Sequence, residues 1–340
     1  MAPTSEVDAS DVLTTTTSTE SQALSRRRFA AGALGAAGLT GMAGCSSVLG
    51  NAEGSDTITM LLTPDVPSDV RPQYQPVHDL LEGEIDGLDL EMKVPQDYSA
   101  VRPALRSEQA EIGMDDVTLI SDPDMMDLFG TAVTGGTAFY FSMMRTKPDT
   151  DIDERTDLEG RSVAFADRLS TSGSIFAVYA LKEAGLDVGD APDGPPVDFD
   201  GTWSNHEDAV QKVINDDADA CITWSGNGMD YLAADQELPS RVEEKDSFVG
   251  NRGNAEATLR PFWWSFPIPK QPIYARQSWD SPMKEEIRQT LIDSDKELIQ
   301  EYLPEDYNEN DLPFTTLRET TMDNYEPVIM RLNDLGIELG

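Results

Sequence analysis

The sequence predicts an α/β protein built as two lobes, each a mostly parallel sheet flanked by helices. Three observations predict it. Short apolar runs suited to buried strands alternate with segments whose apolar residues fall three and four apart, the pattern of parallel sheets covered on both faces. This alternating series stops at an acidic loop, Lys147–Asp157, and then starts again. The length, 340 residues, suits about two domains of ordinary size.

The first segment reads as an address. Residues 1–24 are polar, rich in Thr and Ser, and without an apolar period, so disorder is expected there. Ser25-Arg26-Arg27-Arg28-Phe29 follows, then a small-residue apolar run from Ala30 to Gly44 that is too short for a comfortable membrane span and suits an export signal. Arg26 and Arg27 sit in a stretch that resembles the twin-arginine signal, which implies export of a folded protein. Met42-Ala43-Gly44-Cys45 is similar to a prokaryotic lipobox, in which the Cys45 thiol takes a lipid and becomes the new N-terminus. Residues 1–44 are thus expected to be removed, and 45–56, with Gly50 and Gly54, to form a flexible lipid-anchored tether.

The elements then follow in order. Thr57–Leu62 suits a buried strand, and Tyr74, Val77, Leu80, Leu81 and Ile85 fall at helical spacing before a stop at Gly87. Leu88–Val94 alternates like a strand, Tyr98, Val101 and Leu105 mark a helix, and Ile112–Met114 and Ala138–Met144 are further strands. The pattern resumes with strand Ser162–Ala166, helix Ser172–Ala184 ended by Gly185, helix Glu207–Ile214 and strand Ala220–Trp224. The Pro-rich apolar stretch Pro261–Ala275 would return the chain to the first lobe, which helices between Ser281 and Tyr302 and from Met322 to Leu335 would finish. The expected division is 57–146 with 268–340 as lobe 1, and 147–267 as lobe 2.

Charge narrows the setting. Asp and Glu total 63 against 25 Lys and Arg, a formal net charge of −38. The acids are dispersed among apolar periods, so the balance reads as a folded protein adapted to very high salt. At about 1 M salt the Debye length is only roughly 3 Å and self-repulsion is largely screened. No basic stripe exists to meet nucleic-acid phosphates. The two cysteines, Cys45 and Cys221, are better explained separately than as a disulfide.

One segment carries chemistry. Asp167-Arg168-Leu169-Ser170-Thr171-Ser172-Gly173 lies between a predicted strand and helix. A helix start leaves backbone N–H groups without partners, and three hydroxyls placed there, with Gly173 allowing close approach, would cradle an oxyanion. Plain N-capping is the competing reading, though a cap needs only one hydroxyl. His206, in Trp203-Ser204-Asn205-His206-Glu207, opens the next helix and would donate to the same anion. No G-x-S-x-G, P-loop or H-E-x-x-H occurs, and His78 and His206 are the only histidines. An enzyme is therefore not expected, nor a metal or cofactor. Asp149-Thr150-Asp151-Ile152-Asp153 begins like a calcium loop, but Glu154 stands where Gly is required.

Taken in order, five stretches resemble the phosphonate-binding proteins of ABC importers: Gln73-Tyr74-Gln75-Pro76, Asp97-Tyr98-Ser99-Ala100-Val101, Ser170-Thr171-Ser172-Gly173, His206, and Pro267-Ile268-Pro269-Lys270-Gln271-Pro272. The resemblance covers roughly residues 57–300. It implies a type II periplasmic-binding-protein-like fold whose two lobes close about a hinge. Ligand would be held by Tyr98, Ser170, Thr171, Ser172, Gly173 and His206, and the partners would be a small oxyanion and the importer's permease and ATPase. Departures concern Asp115-Asp116, where a carboxylate facing the site would repel an oxyanion, and Gln271, which stands where amino-phosphonate binders commonly carry Asp. Asp115, Trp224 and Gln271 are further candidates. An amino-acid or zwitterion receptor, a sensory subunit of the same fold and, with less support, a surface α/β hydrolase are the alternatives.

Overall fold

The computed structural model describes residues 57–64 and 67–336; Arg26, Arg27 and Cys45 lie outside them. The chain opens with β1 (Ile58–Leu61), α1 (Pro67–Glu84), β2 (Leu90–Lys93), α2 (Val101–Arg106), β3 (Ile112–Gly113), α3 (Asp116–Ser121) and β4 (Met126–Val133). It then passes through β5 (Phe139–Tyr140) into β6 (Ser142–Thr146), β7 (Ser162–Phe165), α4 (Phe176–Ala184), β8 (Asp200–Trp203), α5 (His206–Ile214), β9 (Ala220–Trp224), α6 (Ser240–Lys245) and β10 (Arg260–Trp264). It comes back through β11 (Ile268–Pro269) to β12 (Pro272–Arg276), α7 (Pro282–Asp293), α8 (Lys296–Gln300), β13 (Thr316–Arg318) and α9 (Glu326–Leu335).

Two sheets result. The first has the order β13-β4-β12-β3-β1-β2 and the second β10-β6-β9-β7-β8. Most strands in each run one way, as the alternating pattern predicts; the exceptions are β12 and β13 in the first sheet and β6 in the second. β6 and β12 are the strands by which the chain enters each sheet from the other, so they arrive from the opposite end. Between them β5 and β11 pair antiparallel, Ile268 opposite Tyr140, and form a two-stranded hinge.

The helices cover the sheets because their apolar residues repeat at the helical period. Val70, Tyr74, Val77, Leu80 and Leu81 of α1 bury one stripe against Ile58 and Met60 of β1 and Ile112 of β3. In the second lobe the strand period of two is visible on both faces. Val163, Phe165 and Ile222 pack toward Ala177 and Leu181 of α4, while Ala164 and Cys221 pack toward Val210 and Val213 of α5. A fully buried side chain of this kind contributes about 1.5–3 kcal/mol.

Two boundaries differ from the sequence reading. Ser142–Thr146 pairs with β9 and β10, so the second lobe begins at β6 and not at residue 147. Its five residues are all buried, as a central strand requires. Helix α9, expected to finish the first lobe, lays Val328 and Leu332 on Ile175 and Phe176 of the second. The Arg331 guanidinium lies 4.1 Å from the Phe266 ring centroid and 5.2 Å from that of Phe176, and Lys182 Nζ donates to the Asp334 carbonyl at 2.8 Å.

Candidate functional site

A cavity of about 540 Å³ lies between the sheets. Tyr74, Tyr98, Asp115 and Asp116 line it from the first lobe, and Ser170, Thr171, Ser172, His206 and Trp224 from the second. Tyr140, Lys270 and Gln271 reach it from the hinge. The structure thus brings together every ligand candidate named from the sequence except Gly173. Of the other tryptophans, Trp203 stacks on Phe165 at 4.8 Å, and Trp263 and Trp264 belong to the hydrophobic packing of the second lobe.

Local chemistry builds the cup. After β7 the chain turns, and Ser170 caps the helix start: its Oγ accepts from Gly173 N at 3.1 Å and lies 3.2 Å from His206 Nε2. The helix opens with a wide π-turn over Thr171–Ile175 before α4 proper. Ser142 Oγ donates to the Ser172 carbonyl at 2.6 Å, pinning the turn to the sheet. A Cβ at Gly173 would sit 2.4 Å from Ala166 Cβ and 3.0 Å from His206 Cε1, so glycine lets the helix start press against the strand end. Asn205 caps α5 by accepting from Asp208 N at 2.7 Å, and this presents His206 to the cup.

His206 is not a source of charge. Burial, and secondarily the Arg145 guanidinium, push its pKa down to about 3, so the imidazole is neutral at any ordinary pH. Its Nδ1 is buried without a hydrogen-bond partner. Arg145 is itself fully buried on β6, with Nε and Nη1 unpartnered, and burial lowers its pKa.

The acids divide their work. Asp115 caps α3, accepting from Thr118 N at 2.5 Å and from Tyr274 Oη at 2.8 Å; burial pushes its carboxyl up to about 7. Asp116, not Asp115, meets the cup: Thr171 Oγ1 donates to Asp116 Oδ2 at 2.5 Å, joining the two lobes. Burial raises Asp116 too, while Thr171 and the amides of Asp116 and Val117 hold it down. Lys270 is the one Lys or Arg lining the cavity, against five acids, among the described residues. It donates to Ser247 Oγ at 2.9 Å and to the Thr134 carbonyl at 3.4 Å, and burial brings its pKa down to about 7 despite nearby Asp246. Gln271 hydrogen-bonds Tyr74, whose hydroxyl burial pushes up to about 12. Trp224 meets Phe248 edge-on at 4.9 Å.

Sequence reasoning singled out neither Tyr140 nor Lys270 as a site residue. A lysine inside the apolar Pro267–Pro272 stretch of so acidic a chain was the available signal.

A family model described as the periplasmic substrate-binding protein of phosphonate ABC transporters matches residues 60–325. The chain belongs to this family. This phosphonate-family binding protein also shares its fold with solved structures at low identity. A binding-protein component of an ABC phosphonate transporter from Pseudomonas aeruginosa aligns over 82% of this chain and 86% of its own, at 16% identity and TM-score 0.64. A Prochlorococcus marinus protein in complex with methylphosphonate aligns over 83% and 99%, at 13% identity and TM-score 0.62. A Xanthomonas citri protein bound to ATP aligns over 83% and 96%, at 16% identity and TM-score 0.56. Membership makes the phosphonate-family chain a solute receptor of an importer, which is not an enzyme class.

Proposed function

We propose that this protein captures a small oxyanion (a phosphonate, phosphite or phosphate) outside the cytoplasmic membrane and delivers it to an ABC permease and its ATPase. The carrying observation is that Tyr98 of one lobe lines the same cavity as Ser170, Thr171, Ser172 and His206 of the other. A ligand touching both stabilises the closed arrangement relative to the open one, and β5 and β11 are the strands about which the lobes would turn. No bond is made or broken. Twin-arginine export through Arg26 and Arg27 and a lipid on Cys45 would hold the protein at the membrane's outer face, and its acidic surface suits molar salt.

A thermal-shift screen of methylphosphonate, phosphite, phosphate and amino acids in molar KCl tests the reading. An oxyanion at 100 times its Kd should add about 2.7 kcal/mol of stability. Replacing Ser172 by Ala should weaken that oxyanion's binding by at least about tenfold, because a hydrogen bond to a charged group is worth roughly 1.5–3 kcal/mol. Stabilisation by amino acids alone would favour the zwitterion receptor instead.

A further inference from the structure

The cup has an acceptor where an oxyanion needs a donor. A threonine hydroxyl carries one proton, and Thr171 gives it to Asp116 Oδ2. Asp116 also accepts from the amides of Asp116 and Val117. A carboxylate has about four lone-pair sites, so Asp116, which lines the cavity, retains accepting capacity toward it. Asp115 differs: Thr118 N engages its Oδ1 and the Tyr274 hydroxyl its Oδ2.

We propose that Asp116 makes the site select the protonated form of its ligand: the oxyanion is held with one acidic proton between its own oxygen and the Asp116 carboxylate, and the fully ionised form is rejected. This rests on the oxyanion reading above. Two buried oxyanions in contact repel unless a proton bridges them, and with that proton the contact becomes a short, charge-assisted hydrogen bond. The balance is one proton taken up per ligand whenever free ligand and free Asp116 are both ionised. The groups around Asp116 are Asp115 on its own helix start, Tyr140 from the hinge, Tyr325 ahead of α9 and Thr171 from the second lobe. The neutral His206 and Lys270 line the same cavity. Burial raises both tyrosines well above neutral pH. Asp115 and Lys270, each brought to about 7, titrate within the working range, so the decisive comparison is between the wild type and a variant altered only at Asp116.

The test is calorimetry of methylphosphonate binding in molar KCl from pH 6 to 9, in buffers of different ionisation enthalpy, with wild type and Asp116→Asn. Expected for the wild type is uptake of close to one proton above the probe's second ionisation, with affinity falling roughly tenfold per pH unit there. Asp116→Asn, whose amide can donate to the dianion, should lose most of that slope and bind at least about tenfold more tightly than wild type at the alkaline end. The monomethyl ester of the probe, singly charged but without an acidic proton, should bind wild type weakly at every pH. Wild-type binding without proton uptake and with pH-independent affinity would overturn the inference alone, and that measurement needs no variant. Failure of methylphosphonate, phosphite and phosphate to bind either form at any pH would overturn the oxyanion reading, and this inference with it.

Discussion

Lys270 should be held in the cleft at the expense of stability, and replacing it with Met should make the protein both more stable and a weaker receptor. Lys270 is 4% exposed and its pKa falls from 10.5 to about 7, with burial the main cause. Between those values the unfolded chain binds a proton that the folded chain does not, so stability rises with pH across that window. Below pH 7 the folded protein bears the whole burden of the buried charge. The gap corresponds to roughly 4–5 kcal/mol. Met keeps the apolar stem and removes the charge, but it forfeits hydrogen bonds to Ser247 and Thr134 worth about 1 kcal/mol each. Lys270→Met should therefore gain roughly 2–3 kcal/mol at pH 7, and the gain should shrink as pH rises, vanish near about pH 9 and reverse above it. Urea unfolding in molar KCl at several pH values between 7 and about 9.5 reads this out as the difference between variant and wild type, in which the other titrating groups cancel. Oxyanion affinity should fall in parallel, since the cavity lining then has no lysine or arginine. A variant less stable than wild type at pH 7, or a difference that does not change with pH, would refute the reasoning.

Gly173→Ala should destabilise by about 1–3 kcal/mol through overpacking against Ala166, and Ala166→Gly in the same chain should restore much of the loss; equal urea midpoints for wild type and Gly173→Ala would contradict this. Cys45→Ser should move the protein from the detergent phase to the aqueous phase on phase partitioning, or leave it unprocessed, and unchanged partitioning would rule out a lipid on that thiol.

What was legible in the sequence was local. The helix starting after Ser170 and stopping at Gly185, where φ is +102°, follows from capping chemistry and the left-handed turn that glycine admits. The helix opening at His206 and the strands at Thr57–Leu62 and Ala220–Trp224 follow from periodicity within a few residues, and the alternation of such elements carried the two-lobed α/β class. Strand β4 escaped notice because Met126–Val133 is a mixed run whose identity as a strand comes from β12 and β13 pairing on either side, one of them almost 190 residues away in the chain. The same holds for β6, assigned to the wrong lobe, and for α9, whose apolar stripe is plain although its partner is not. In the site, the Ser-Thr-Ser cup was visible as three hydroxyls at a helix start, but not the carboxylate that takes one of them. Asp116 and Thr171 are 55 residues apart, and nothing local distinguishes Asp116 from Asp115. Sequence alone determined which residues share a face of a helix or strand, because backbone geometry sets that over a few residues. Only the tertiary structure decided which faces meet, and with them the neutral histidine, the buried lysine and the acid in the cup, because burial and long-range neighbours set a group's charge and its hydrogen-bond partners.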